Sequence, residues 1–90
     1  MGPTSVRLEQ NYPNPFNPST TIQYALPHRS HATLTVFNTL GQQVATLVNG
    51  EMEAGYDEIT FIAEALSSGV YFYRLQVGDF TPTKRLCLIR

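Results

Sequence analysis

Residues 11–24 read Asn-Tyr-Pro-Asn-Pro-Phe-Asn-Pro-Ser-Thr-Thr-Ile-Gln-Tyr, and this stretch decides how the chain can fold. Three prolines and three asparagines fall within residues 11–18. Each proline fixes its own φ, lacks a backbone donor and drives the preceding residue towards an extended conformation. Helix and central strand are therefore excluded here. We predict a stiff lead-in that delivers the chain to a first core strand.

The rest of the chain alternates between apolar and polar residues with a period of two, which is typical of half-buried strands. Turn residues separate the alternating runs. We predict strands over residues 6–10, 20–26, 32–38, 42–48, 56–62, 70–77 and 84–89, a hairpin turn at Asn49-Gly50 and one helical turn over residues 63–68. Many short strands without a long helix predict an all-β fold, an antiparallel β-sandwich of about seven strands.

Length and composition limit the class of protein. Ninety residues make one domain, which we place at residues 5–90, with residues 1–4 as a linker remnant. The 42% hydrophobic and 14% charged content indicates an ordered module, expected to be a monomer. A net charge of −1 argues against nucleic acid and against an anionic membrane as partners. No apolar run is long enough for membrane insertion.

No motif for catalysis or for a cofactor stands out. His28 and His31 flank a turn without other ligands at metal-binding spacing, so they are interpreted as solvated. The acidic residues within 51–58 lack the Asp/Asn-Gly pattern of a calcium loop. Cys87 lies among apolar neighbours and is expected to be a buried thiol that packs like a small hydrophobe. We therefore expect no enzymatic activity, no metal and no cofactor.

The aromatic residues leave a binding function open. Tyr71 and Tyr73 share one face of a predicted strand and Phe72 takes the other, so some rings point outward unless both faces are buried. An exposed aromatic strip can stack on sugar rings. The alternative function is therefore an accessory carbohydrate-binding domain, or a fibronectin-like spacer, of a secreted hydrolase. The absence of tryptophan argues against sugar binding.

Four blocks of sequence resemble a known family. They are Leu-Glu-Gln-Asn-Tyr-Pro-Asn-Pro-Phe-Asn-Pro-Ser-Thr-Thr-Ile (8–22), Val-Phe-Asn-Thr-Leu-Gly-Gln-Gln-Val (36–44), Leu-Ser-Ser-Gly-Val-Tyr-Phe-Tyr-Arg-Leu (66–75) and Thr-Lys-Arg-Leu (83–86). In this order they resemble the C-terminal sorting domain of the bacterial type IX secretion system. The signature positions, which we expect to be mainly architectural, are Asn11, Pro13, Pro15, Phe16, Asn17, Pro18, Gly41, Gly69 and Tyr71.

The resemblance implies an immunoglobulin-like sandwich that serves as a sorting signal for its parent protein. A parent cargo domain would precede it and would reach the periplasm with an ordinary signal peptide. The outer-membrane translocon would then read the folded domain, and a cell-surface sortase-like peptidase would remove it. The parent protein would end at the cell surface or secreted into the medium.

The resemblance also places much of the recognition in residues 69–90. We expect the basic residues there to form one patch that docks on the translocon; they are Arg74, Lys84, Arg85 and Arg90. The alternative is that these are solvated charges on a strand pair. A sandwich in flagellar hook-capping proteins carries a similar opening, but the basic last strand argues against that role.

Overall fold

The alternating runs form seven strands in a computed structural model, which describes residues 2–90. Met1, the first residue of the predicted linker remnant, lies outside the described residues. The strands are β1 (Arg7–Leu8), β2 (Ser19–Leu26), β3 (Ser30–Phe37), β4 (Gln43–Met52), β5 (Gly55–Ile62), β6 (Gly69–Gln76) and β7 (Thr83–Leu88). Across residues 2–90, no helix is both long enough and apolar enough to span a membrane.

The strands assemble into two antiparallel sheets. One has the order β1-β2-β5 and the other the order β4-β3-β6-β7. The predicted antiparallel sandwich is therefore confirmed. The predicted edge strand over residues 6–10 is shorter, because its ladder with β2 covers Arg7 and Leu8 only. The predicted helical turn over residues 63–68 is a single turn closed by the Leu66 N–H on the Ala63 carbonyl, at 3.3 Å.

The predicted hairpin turn at Asn49-Gly50 is wrong. Both residues lie inside β4, where Asn49 pairs with Thr33 and Gly50 pairs with Ala32. The Asn-Gly signal is local, whereas β3 offers a partner strand long enough to keep β4 extended to Met52. Tertiary pairing overrides the local turn preference. The chain then crosses to the other sheet and begins β5.

The core lies between the inner faces of the two sheets. Strand alternation predicts its members correctly, with Ala32, Leu34 and Val36 of β3 all fully buried. The other buried strand residues with large side chains are Leu8, Ile22, Tyr24, Leu26, Phe61, Tyr71, Tyr73, Leu75, Leu86 and Leu88. Phe16 joins them from outside the strands and is 1% exposed. The opening stretch therefore contributes to the core.

Cys87 is a second correction. It is half-buried, and it lies opposite Val70 on the outer face of its sheet. Its neighbours Leu86 and Leu88 are both buried. Since successive residues of a strand point to opposite faces, two inward leucines send the thiol between them outward. Apolar neighbours in sequence are therefore a poor guide to burial in this strand.

Candidate recognition surface

The proline-asparagine stretch, residues 11–18, crosses from one sheet to the other, and we call it the strap. Tyr12 exchanges two backbone hydrogen bonds with Thr21 of β2, at 3.0 and 2.9 Å. Phe16 bonds to β7: its N–H donates to the Cys87 carbonyl at 3.0 Å, and its carbonyl accepts from Ile89 N–H at 2.9 Å. The three X–Pro peptide bonds of the strap are cis. These are isolated bridges, so the strap joins the two sheets without extending a ladder.

Two polar side chains also bond to the open edge of β7, next to the contact that Phe16 makes there. The Asn14 side-chain oxygen accepts from Cys87 N–H at 2.9 Å, and the Gln10 side-chain amide donates to the Arg85 carbonyl at 2.7 Å. An open strand edge is a template for unwanted pairing with other chains. The first residues of the domain therefore protect the edge of its last strand.

A buried polar network lies beneath the strap. Asn11, which is 2% exposed, donates its backbone N–H to the Tyr73 hydroxyl at 2.8 Å. The Tyr73 hydroxyl donates in turn to the Glu9 carbonyl at 2.7 Å. The Asn11 side-chain amide donates to the Thr20 hydroxyl at 3.0 Å. Because Tyr73 comes from β6, this network ties the four-stranded sheet to the three-stranded one.

Burial raises the pKa of Tyr73 to about 12, and the negative charge of Glu9 contributes in the same direction. The hydrogen bond from the Asn11 backbone acts against this rise in pKa. A phenol in this position remains neutral and can serve as donor and acceptor at once. Among residues 2–90, no buried side-chain polar atom lacks a hydrogen-bond partner.

The signature glycines and Tyr71 have structural roles at turns. Gly41 has φ +81° and lies within a turn in which the Asn38 side-chain oxygen accepts the N–H groups of Leu40 and Gln42, both at 3.0 Å. Gly69 has φ +153° where β6 begins. Tyr71 donates its hydroxyl to the Ser67 carbonyl at 2.7 Å and so holds the turn before β6. Positive φ favours glycine at both positions.

We expect Gly69→Ala to lower the free energy of unfolding by about 1–3 kcal/mol, since its φ lies in a region that side chains rarely adopt. No atom lies within 4 Å of the added methyl, so backbone strain is the cause. Urea denaturation measures the change. Gly50→Ala is the matched control, because Gly50 lies in a strand without positive φ and also has open space around it. Equal losses in both variants would contradict the strain argument.

The structure brings two of the four predicted basic residues together. Arg74 and Arg85 are exposed on the outer face of the four-stranded sheet, which we call the arginine face. The Arg74 guanidinium lies 4.6 Å from the centre of the Phe37 ring, a cation–π contact. Phe72 is the cross-strand partner of Arg85 on the same face. The Phe37 ring therefore orients the Arg74 guanidinium, and Arg85 lies next to a second aromatic residue of the same face.

The other two basic residues lie elsewhere. Lys84 is the cross-strand partner of the buried Tyr73, on the inward side of β7, and is half-buried. Arg90 folds back on the turn after β5, where its guanidinium donates to the carbonyls of Leu66 at 2.8 Å and Ala63 at 2.6 Å, and also to that of Glu64. The predicted patch of four thus reduces to Arg74 and Arg85 on one surface.

The outer face of the three-stranded sheet has the opposite character. An open groove of about 600 Å³ there is lined by Arg7, Glu9, Gln23, Tyr24, Ala25, Tyr56, Asp57 and Glu58. Arg7 is already paired with Glu9 at 3.2 Å, which leaves Asp57 and Glu58 as an acidic excess. Burial raises the pKa of Tyr24 to about 12, and the charge of Asp57 and its hydrogen bond add to this rise. The two outer faces of the sandwich therefore differ in charge.

The aromatic strip that sugar binding would need is absent from β6. Tyr71 and Tyr73 both point into the core, and Phe72 is half-buried. The exposed rings are Tyr12, Tyr56 and Phe80, on three separate segments. No group of three His, Cys, Asp or Glu side chains within residues 2–90 is placed to hold a metal ion. On the arginine face, two exposed basic side chains lie without an acidic partner among residues 2–90.

Comparison with known proteins finds one matching family and several similar solved structures. Residues 10–89 match the family described as the secretion system C-terminal sorting domain. No curated protein matches the chain. One similar solved structure is PorZ of Porphyromonas gingivalis, an essential bacterial surface component of the type-IX secretion system, with a TM-score of 0.60 and 18% identity. That similarity covers 94% of this chain and 11% of PorZ, so this chain spans about a tenth of PorZ.

A second similar structure is CopC from Methylosinus trichosporium OB3b, with a TM-score of 0.61, 15% identity and 92% of each chain covered. At these identities, both structures support the fold alone. The family match also supports a function, because it covers the chain from the strap to the end of β7. Domains of this family are sorting signals that direct export through the type IX secretion system to the cell surface or medium. The chain therefore belongs to the family of type IX secretion system C-terminal sorting domains.

Proposed function

We propose that the outer-membrane translocon of the type IX system reads this domain in its folded state, by docking on the arginine face. One observation carries the proposal. Within residues 2–90, ion pairs engage Arg7 and Arg29, whereas neither Arg74 nor Arg85 has an acidic partner. Two exposed arginines on a regular ladder leave their charge available to a partner.

The chemistry of the face indicates the kind of partner. A guanidinium presents a planar fork of donors that matches a carboxylate in two parallel hydrogen bonds. The Phe37 ring already orients Arg74. Binding a rigid, preordered surface loses less conformational entropy than ordering a loop. We therefore expect the complementary surface of the translocon to be acidic.

The same proposal includes the steps around docking. A cargo domain N-terminal to the sandwich crosses the periplasm, guided there by its own signal peptide, and a cell-surface sortase-like peptidase removes the domain after export. The domain acts by being recognised and has no catalytic role of its own.

The test is a reporter fusion in a host that has the type IX system. We expect Arg74→Glu/Arg85→Glu to reduce export at least about tenfold, since each charge-assisted hydrogen bond lost costs about 1.5–3 kcal/mol. The reporter should then accumulate in the periplasm. Arg7→Glu/Arg29→Glu is the matched control, because it changes the net charge equally on residues outside the arginine face. We expect the control fusion to be exported normally.

Thermal unfolding of the purified variants separates recognition from folding. Loss of the cation–π contact should cost only about 0.5–1 kcal/mol, so the double variant should remain folded. Normal export of a folded Arg74→Glu/Arg85→Glu domain would refute docking on the arginine face. Equal loss of export in both double variants would assign the effect to net charge instead.

A further inference from the structure

The two sheets have four edges, and three of them are protected against pairing with another strand. The edge strand β1 has two residues. The ladder between β3 and β4 has two register shifts, and such irregularities twist an edge away from regular pairing. The edge of β7 is covered by the strap. Protection of edges is the usual condition in natural β-proteins, so an exception calls for an explanation.

The exception is β5. Its eight residues all pair with β2 without a register shift, from Gly55 opposite Leu26 to Ile62 opposite Ser19. Beyond this ladder, Ala63 N–H donates to the Pro18 carbonyl at 2.9 Å, so residue 63 faces β2. The backbone N–H and C=O groups of successive residues in a strand point alternately to its two sides. In β5, those of the even-numbered residues therefore point away from β2, towards the open edge of the sheet.

The outward residues of β5 are accessible. All four are exposed, namely Tyr56, Glu58, Thr60 and Ile62. Tyr56 and Ile62 are 73% and 61% exposed, although they are large and apolar. The Glu58 N–H is bonded to the Asp57 carboxylate at 2.9 Å. Within residues 2–90, the N–H groups of Tyr56, Thr60 and Ile62 make no such bond on the outer side.

We propose that β5 is a docking strand, which adds an extended, basic segment of a partner protein to the three-stranded sheet. Backbone pairing supplies the register in this mode of recognition, and side chains supply the choice of partner. On the outer face, Glu58 lies between Tyr56 and Thr60, with Ile62 one position further along. Asp57 lies opposite Tyr24, and its carboxylate accepts the Glu58 N–H at the edge. A lysine or arginine opposite Glu58, flanked by apolar residues, complements this pattern.

A second copy of the domain fits this edge less well. Pairing of two β5 strands would place two further carboxylates beside Asp57 and Glu58, and like charges on neighbouring strands are unfavourable. In the groove next to β5, Arg7 and Glu9 are paired with each other, so the acidic excess there comes from Asp57 and Glu58. A basic segment from a different protein is therefore the occupant that the charges favour. This docking strand is separate from the arginine face, and each can be tested without the other.

The probe is a synthetic seven-residue peptide in which threonine alternates with valine and the central residue is lysine. We expect NMR titration of the ¹⁵N-labelled domain to shift the amide signals of β5 and to slow hydrogen exchange at Tyr56, Thr60 and Ile62. A peptide with glutamate in place of lysine should bind at least about tenfold more weakly, which corresponds to about 1.4 kcal/mol. Methylation of its backbone nitrogens should abolish binding.

Two variants of the domain form a matched pair. Thr60→Pro removes an outward N–H while leaving the ladder with β2 complete, and proline is tolerated at such edge positions. We expect it to remove peptide binding with little change in melting temperature. Thr60→Val keeps the N–H and should bind normally. No binding of the lysine peptide, shifts confined to another strand, or self-association through β5 in sedimentation would each overturn the proposal.

Discussion

Replacing Phe16 with alanine is expected to lower the free energy of unfolding by about 3–5 kcal/mol. Phe16 is 1% exposed, and its ring centre lies 6.2 Å from that of Phe61 in a tilted arrangement. The substitution removes buried apolar surface, leaves a cavity and loses an aromatic pair. Small domains have a total stability of about 5–15 kcal/mol, so this change removes a large part of it.

Urea denaturation of the isolated domain measures this loss. Phe80→Ala is the matched control, because Phe80 is 55% exposed and its truncation should cost less than about 1 kcal/mol. Hydrogen exchange gives a second readout: the Ile89 amide, which donates to the Phe16 carbonyl, should exchange faster in the Phe16 variant. Similar losses for Phe16→Ala and Phe80→Ala would show that the strap does not belong to the core.

Tyr73→Phe is expected to lower the free energy of unfolding by about 2–4 kcal/mol. The hydroxyl serves two backbone groups, the Asn11 N–H and the Glu9 carbonyl. A buried polar group left without a hydrogen-bond partner costs about 1–3 kcal/mol, and this substitution leaves two such groups without their partner. Tyr71→Phe is the matched control: its hydroxyl has one acceptor, the Ser67 carbonyl, so it should cost about 1 kcal/mol. Equal costs would contradict a special role for the network.

The same tyrosine predicts a loss of stability in alkaline solution. Its pKa in the folded domain is raised from 10.0 to about 12, so the unfolded chain gives up the phenol proton first. The stabilisation is complete below pH 10 and is lost as the pH rises to about 12. Tyr24 contributes in the same window, since its pKa is also raised to about 12. Melting temperatures across this window should fall less steeply in Tyr73→Phe, and an unchanged slope would contradict the assignment.

The positions of the strands can be predicted from the sequence because a half-buried sheet imposes a period of two. That period is visible in β2 and β3 without any knowledge of their partner strands. The failures arose where a partner decides the outcome. Asn49-Gly50 carries a local turn signal, but β3 holds it extended. Arg90 is predicted from its charge to join the basic patch, but its guanidinium donates hydrogen bonds to carbonyls of a turn. Local patterns cannot report such distant contacts.

The protection of the β7 edge was the least predictable feature. Asn14 and Cys87 are 73 residues apart, and Gln10 and Arg85 are 75 residues apart. Nothing in the local sequence of either member indicates the other. The family resemblance contains both segments as separate blocks, and the structure places them side by side. The opening stretch completes the surroundings of the last strand, which supports the prediction that its signature positions are mainly architectural.

The contact between strap and last strand also has a consequence for timing. A polypeptide that emerges with its N-terminal residues first makes the strap long before it makes β7. Until β7 arrives, Phe16 has no backbone partner there and the outer edge of β6 stays open. Contacts between such distant residues form late, because a long loop must close first. Folding of this domain is thus completed only after its last strand has been made, and a partner that binds only the folded form must wait for the whole domain.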